Sequence, residues 1–352
     1  MAGRLVAGAD DRELIHIACT CEGVSFVGAS ASCTLDQVST SPLLVRDLTL
    51  RYPADYCRPG EPLLLMQVTE FACGGFTVGV TWNHVVADGA GMAQFLQAVG
   101  ELACGMPAPS VVPIRAVVDG SLPCIPLEVV AAMRSQMSVG MEEMAILEVT
   151  VPWSLISRVK RECRGECTTF DAVAALFWQC RTRAIATSDP DTLAPLFFPS
   201  SMRWLIGGAA KHGYYGNCVM RQPVQAKSGT VASGDVKDLV KLIRLAKRKN
   251  IPGMLTITNG GGGGTETPPP RCKYNTLVVT SLRNLGLDAV DLGRGSPARV
   301  MPPLCKAERT ASNFCVLCPP CKGKDGVNVV SICVKPEHAD AFAKELAALG
   351  IC

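Results

Sequence analysis

Residues 76–89 read Phe76-Thr77-Val78-Gly79-Val80-Thr81-Trp82-Asn83-His84-Val85-Val86-Ala87-Asp88-Gly89, and a change of period inside and just after this stretch decides the fold. Phe76, Val78, Val80 and Trp82 share one face while Thr77, Gly79 and Thr81 share the other, the period of two that marks a strand. Beyond Gly89 the period becomes helical, with Met92, Phe95, Leu96, Val99, Leu102 and Ala103 on one apolar stripe. A strand that runs through a short connection into an amphipathic helix predicts a mixed α/β protein.

The alternation continues outward. Leu63 to Thr69 is a short apolar run suited to a buried strand. Ala145 to Val151 predicts another, and Pro152 suits the first turn of a helix carrying Leu155, Ile156 and Val159. Thr168 and Asp171 have capping-box spacing for a helix with Val173, Leu176, Phe177 and Cys180 along one side. Val236 to Lys249 predicts an amphipathic helix ending on Lys247, Arg248 and Lys249, cations favoured at a helix C-terminus. A strand over Val327–Val334 and a helix over Pro336–Leu349 follow. Prolines 107, 109, 113, 123 and 126 mark an extended crossover. The predicted organisation is an N-terminal domain over 1–115, a linker over 116–140 and a C-terminal domain over 141–352. The glycine run Gly260–Gly264 lacks the Lys-Ser/Thr pair of a phosphate-binding loop and reads as a flexible loop.

Composition bounds the function. At ~150 residues per domain, 352 residues predict two. With 48% hydrophobic and 18% charged residues the chain has ample core. A net charge of +3, with a pI below ~9, argues against a dedicated nucleic-acid binder. No apolar run approaches the ~18 residues of a membrane span, and MAGRLVAGADD at the start has no hydrophobic leader. A soluble cytoplasmic protein without a membrane partner is expected. The 18 cysteines lie mostly in apolar segments and read as reduced thiols packed as small hydrophobes. Cys315, Cys318 and Cys321 form one compact cluster, half of the usual zinc spacing, so no metal is assigned.

Of four histidines, His16 alternates within a strand-like stretch, His212 lies in a loop and His338 sits in the first turn of the last helix, where solvent exposure is the simple reading. His84 stands at the end of a buried-looking strand, and imidazole is the side chain best suited to take a proton from a hydroxyl or amine near neutral pH. Asp88 and Gly89 open the following helix, where a carboxylate is favoured. By pattern alone, a packed histidine with a helix-capping aspartate is the commoner reading.

Trp82 to Gly89 resembles the His-x-x-x-Asp signature of the plant BAHD acyltransferases. Ala2-Gly3-Arg4-Leu5, Gly213-Tyr214-Tyr215-Gly216-Asn217, and Val279-Thr280-Ser281 followed by Asp291-Leu292-Gly293-Arg294-Gly295 resemble further elements of that family in its order. The resemblance implies two similar chloramphenicol-acetyltransferase-like domains, each a mixed sheet with flanking helices, and an active-site channel between them. It implies a monomer that transfers an acyl group from acyl-CoA, a co-substrate and not a tightly bound cofactor, to an alcohol or amine of specialised or cell-wall metabolism. His84 would be the general base, with direct attack and no acyl-enzyme. Asp88 would shape the loop by pairing with Arg203, beside Gly89, while Thr280, Ser281, Asp291, Gly293 and Gly295 would serve the CoA side. The branch that looks nearest contains benzyl-alcohol benzoyltransferases, taxane acyltransferases and grass hydroxycinnamoyl transferases.

Three departures accompany the resemblance. Relatives carry a strand and helix ahead of the Ala-Gly-Arg-Leu element, so an N-terminally truncated member is expected, its first sheet open at one edge with apolar surface exposed. Leu282 stands where relatives have Trp, and Leu292 and Arg294 stand for Phe and Trp in the second signature. The alternative reading is a member whose chemistry these losses impair.

Overall fold

The computed structural model describes residues 2–6, 16–39, 45, 47–53, 57–115, 142–185, 189–205, 210–257, 274–302, 309–310 and 313–351. The linker over 116–140 and the glycine run at 260–264 lie outside these residues. Two compact units emerge. One holds the described residues up to Met92 together with Tyr215–Asn217; the other holds those of Ala93–Tyr214 and from Cys218 onward.

In the first unit, β1 (Arg4–Val6) pairs antiparallel with β2 (His16–Ala18). β3 (Ser25–Ala31), followed by α1 (Leu35–Ser39), pairs parallel with β4 (Leu64–Phe71), which pairs antiparallel with β5 (Phe76–Trp82). The strand expected from the period of two at 76–82 thus has its expected bounds. β3 lies at an edge of this sheet and shows Phe26 and Val27 to solvent at 62% and 40% exposure. α2 (Gly89–Ala103) follows β5, its first four residues belonging to this unit and those from Ala93 to the second. Its stripe is buried at Met92 and opens toward its end, where Leu102 is half exposed.

The second unit is built on β6 (Glu142–Glu143), β7 (Ala145–Pro152), α3 (Trp153–Glu162), α4 (Thr169–Ala184), β8 (Leu196–Ser201), α5 (Ala210–Gly213), β9 (Val219–Val224), α6 (Ser228–Ser233), α7 (Val236–Ile257), β10 (Leu277–Ser281), β11 (Arg309–Thr310), β12 (Phe314–Leu317), β13 (Gly326–Val334) and α8 (Pro336–Ala348). Its main sheet runs β7-β13-β12-β10-β8-β9. β10 is parallel to both β8 and β12, and the other pairs are antiparallel. β13, interior to the sheet, is buried at every position, Asn328 and Ser331 included.

α4 packs against α3, α6, α7 and α8. It begins on the expected capping box: Thr168 Oγ1 accepts from the Asp171 N–H at 3.1 Å, and Asp171 Oδ2 accepts from the Thr168 N–H at 3.0 Å. The expectation of one buried side was too narrow, because Ala172–Thr182 are all buried. Its polar groups survive there by bonding to surrounding main chain. Trp178 Nε1 donates to Ala194 O at 2.9 Å, Gln179 Nε2 to Gly234 O at 2.7 Å, and Arg181 Nε to Cys333 O at 2.6 Å.

Four local expectations shift. Pro152 is extended (φ −67°, ψ 146°) and ends β7, so the helix starts at Trp153; the buried trio Leu155, Ile156 and Val159 is as expected. α7 runs past Lys249 to Ile257, and Lys247 is drawn sideways into an ion pair with Asp171 at 2.5 Å. His212 lies in the short helix α5. His338 is engaged, its Nδ1 hydrogen-bonding with Tyr274 Oη at 2.9 Å while the rings stack.

The cysteines at 315 and 318 are buried in the sheet, with Cys315 Sγ bonding to Ser331 Oγ at 3.5 Å and Cys318 Sγ to Val316 O at 3.7 Å. Among the described residues no group of three or more His, Cys, Asp or Glu is placed to hold a metal. No described helix is long and apolar enough to cross a membrane.

Candidate active site

The turn between β5 and α2 is built from inside outward. Val86, Ala87 and Asp88 are buried, while His84 and Val85 face solvent. Beneath the turn, Leu5 packs with Leu63, Val86 and Ala87, joined by Ile17, Cys57 and Tyr215. The Ala-Gly-Arg-Leu element therefore supplies the floor under the histidine turn, a role its sequence alone did not disclose.

Local hydrogen bonds close the turn. Asn83 N–H donates to Leu63 O, and Val86 N–H to Asn83 O, both at 2.9 Å. Asn83 Oδ1 accepts from the Val85 N–H at 3.0 Å, the Asx turn that Asn favours. Trp82 Nε1 donates to Ala87 O at 3.0 Å. The indole also lies beside the imidazole of His84, ring centroids 6.2 Å apart and planes 29° from parallel.

Asp88 is the cap of α2. Its Oδ1 accepts from the Gly91 N–H at 3.0 Å, and its carbonyl accepts from the Met92 N–H at 2.9 Å. A short acceptor at this position satisfies a donor that the first helical turn otherwise leaves unpaired. Gly89 is the first helical residue. The bland reading of Asp88 as a cap is thus part of its role, and the cap holds the histidine turn in place.

Tyr215–Asn217, distant in sequence, belongs to the same unit. Asn217 Nδ2 donates to His84 O at 2.7 Å and to Val85 O at 3.2 Å. A Cβ on Gly91 would lie 1.8 Å from Tyr215 O, so the segment can lie against α2 only because residue 91 has no side chain. In the sequence, Asn217 stands out only as the last residue of Gly213-Tyr214-Tyr215-Gly216-Asn217. The donor-bearing side chain following a glycine is the signal, and nothing local says which acceptor it reaches.

The remaining expected site residues are in the second unit. Arg203 opens a 3₁₀ turn just after β8, and its N–H donates to Ser201 Oγ at 3.4 Å. Thr280 and Ser281 end β10, opposite Val316 and Leu317 of β12. Because β8 and β10 run parallel, Arg203 and Ser281 gather at one end of the sheet, the end where open α/β sheets bind ligands. Ser281 Oγ accepts from the Arg283 N–H at 3.1 Å.

The second signature folds as an anion nest closed on its own aspartate. Asp291 Oδ1 accepts from the N–H groups of Gly293, Arg294 and Gly295 at 2.8, 3.0 and 2.8 Å. Gly293 and Gly295 have φ of +87° and +86°, which explains glycine at both positions. Cys104 Sγ at the end of α2 reaches Asp291 O at 3.5 Å. The turn is held by the Asp291 carboxylate through main-chain N–H groups, independent of the side chains at 292 and 294.

The family model described as "Transferase family" matches residues 1–125 and 142–349. "Acyl transferase 15" of Oryza sativa subsp. japonica is 41% identical over 372 residues, with 99% of this chain and 83% of that protein covered. "Myricetin 3-O-glucosyl 1,2-rhamnoside 6'-O-caffeoyltransferase AT1" of Crocosmia x crocosmiiflora is 31% identical, with 98% of this chain and 83% of that protein covered. The crystal structure of vinorine synthase shares the fold at a TM-score of 0.73 and 17% identity, covering 99% of this chain and 80% of that one. F. sporotrichioides TRI101, solved with coenzyme A and T-2, gives a TM-score of 0.66 at 15% identity, covering 97% of this chain and 84% of that one.

Proposed function

Because the chain belongs to the Transferase family, the plant BAHD acyltransferases, and is an acyl-CoA-dependent acyltransferase, we propose that it acylates a hydroxyl group of a plant metabolite with His84 as general base. The carrying observation is an exposed imidazole on a turn anchored by the buried residues Val86, Ala87 and Asp88, with Ala87 and Asp88 held by hydrogen bonds to Trp82 and Gly91.

His84 takes the proton of the acceptor hydroxyl, and the oxygen attacks the thioester carbonyl. The C–S bond breaks as the tetrahedral intermediate collapses, and the proton held by His84 passes to the departing thiolate. Alcohol and acyl thioester thereby become ester and free CoA, with no covalent enzyme intermediate. Asp88 serves by capping α2 and so shaping the turn, and Gly89 opens the helix behind it. Thr280, Ser281 and the Asp291–Gly295 nest serve the CoA side. A hydroxycinnamoyl-type donor and a hydroxyl acceptor would match the Crocosmia relative, a 6'-O-caffeoyltransferase by name. We place this reaction in the cytoplasm, carried out by a monomer.

The purified chain, given acetyl-, benzoyl- or p-coumaroyl-CoA with a panel of alcohols, is expected to release free CoA, and His84→Ala to abolish the release. Equal turnover by parent and His84→Ala removes His84 as base. The departures at Leu282, Leu292 and Arg294 favour a second reading, an impaired member, which the same assay supports if no donor yields CoA above the uncatalysed rate.

A further inference from the structure

We propose that Asn217 is the positioning residue of the His84 base: its side-chain amide clamps the main chain of the histidine turn and so sets where the imidazole stands. The inference rests on the reading of His84 as base and adds a residue to it. Asn217 offers two N–H donors, and both are directed at carbonyls of consecutive residues, His84 at 2.7 Å and Val85 at 3.2 Å. These are the two exposed residues of the turn, the ones that the buried floor of Leu5, Leu63, Val86 and Ala87 does not hold.

The clamp is itself braced. The Tyr215 carbonyl sits against the first turn of α2 at Gly91, and Tyr215 packs into the floor. Asp88 fixes the start of the same turn of helix through the Gly91 N–H. Main-chain direction at His84 is therefore determined from two sides, by Trp82 and Asp88 within the local sequence and by Asn217 from 133 residues away. General-base catalysis needs the imidazole within hydrogen-bond reach of the acceptor proton, and a displacement of about 1 Å at a reacting group costs about 10²-fold in rate. A side chain that holds the carbonyl of the base itself thus acts on rate and leaves donor binding alone.

Asn217→Asp keeps the size and removes the donor, placing an anionic oxygen against two carbonyls; Asn217→Ala removes the clamp without that repulsion. Both variants of the full chain are compared with the parent by amide hydrogen exchange over residues 83–88 and by turnover with p-coumaroyl-CoA. Exchange at 84–88 is expected to rise about tenfold in both variants, while β4 and β5 keep parent rates. The kcat is expected to fall about tenfold to a hundredfold with the KM for acyl-CoA within twofold of the parent. Unchanged exchange in Asn217→Ala overturns the clamp, whether or not the chain is active. Faster exchange with unchanged kcat, or a fall seen only in KM, overturns the positioning role. A parent that shows the exchange difference but no His84-dependent turnover refutes the base reading on which that role stands.

Discussion

A Cβ on Gly91 would fall 1.8 Å from the carbonyl oxygen of Tyr215. The obstacle is main chain, which cannot rotate aside, so Gly91→Ala forces α2 and the 215–217 segment apart. Alanine gains about 1 kcal/mol in helix propensity, and overpacking costs about 1–3 kcal/mol. The clash is expected to win, lowering the urea midpoint and reducing turnover. A midpoint at or above the parent's would show that the segment is not packed on the helix.

Asp88 offers a graded test of its capping role. Asp88→Ala removes the acceptor of the Gly91 N–H, a loss of about 0.5–2 kcal/mol for an N-cap. Asp88→Asn keeps an acceptor oxygen and gives up the charge, so its stability should fall between the parent and Asp88→Ala. Thermal unfolding of the three proteins orders them; Asn at or below Ala means that the charge, not the cap, carries the residue.

The capping box of α4 makes a similar demand far from the histidine. Thr168→Ala removes the acceptor of the Asp171 N–H at the start of a helix that is buried nearly all round. Denaturation in urea should show a loss of about 0.5–2 kcal/mol, with turnover by the folded protein unchanged. A loss below about 0.3 kcal/mol would mean that packing alone sets the start of α4.

Burial pushes the thiols of Cys180 and Cys318 up to about 12 from an ordinary 9.0. Folded, they keep their protons where the unfolded chain loses them, so their contribution to stability is full below pH 9 and declines as pH rises from 9 toward 12. Melting temperature should drop across that window, and Cys180→Ala with Cys318→Ala should flatten the drop. At an exposed site, Cys73 is held below its usual range, chiefly by a main-chain hydrogen bond from Leu35. Iodoacetamide at pH 8 should label Cys73 before Cys180 or Cys318, as mass spectrometry of the digested protein can show. Labelling of the buried pair at an equal rate would contradict their burial.

Much of this was legible in the chain itself, for a definite reason. The period change at Trp82–Gly89, the capping box at Thr168 and the closing strand and helix each depend on residues within a turn or two of one another. Where a pattern reached beyond that range it misled. The stripe on α4 understated its burial, because Trp178, Gln179 and Arg181 find main-chain partners in other elements. Lys247 looked like a helix end until Asp171 claimed it. The Ala-Gly-Arg-Leu element carried a family likeness but no stated job, and the position of Leu5 beneath Val86 and Ala87 supplies one.

Local chemistry alone settles that β5 passes through an Asx turn into a helix capped by Asp88, so His84 must stand at that junction. Its surroundings are a different matter. Which carbonyls Asn217 reaches, which glycine Tyr215 lies against and how Leu5 comes to floor the turn are set by contacts between segments 81 to 133 residues apart. A hydrogen-bond donor in a sequence carries no address. Only burial of the shared apolar floor brings these segments together, and it is that packing which converts a histidine at the end of a strand into one held in a defined position.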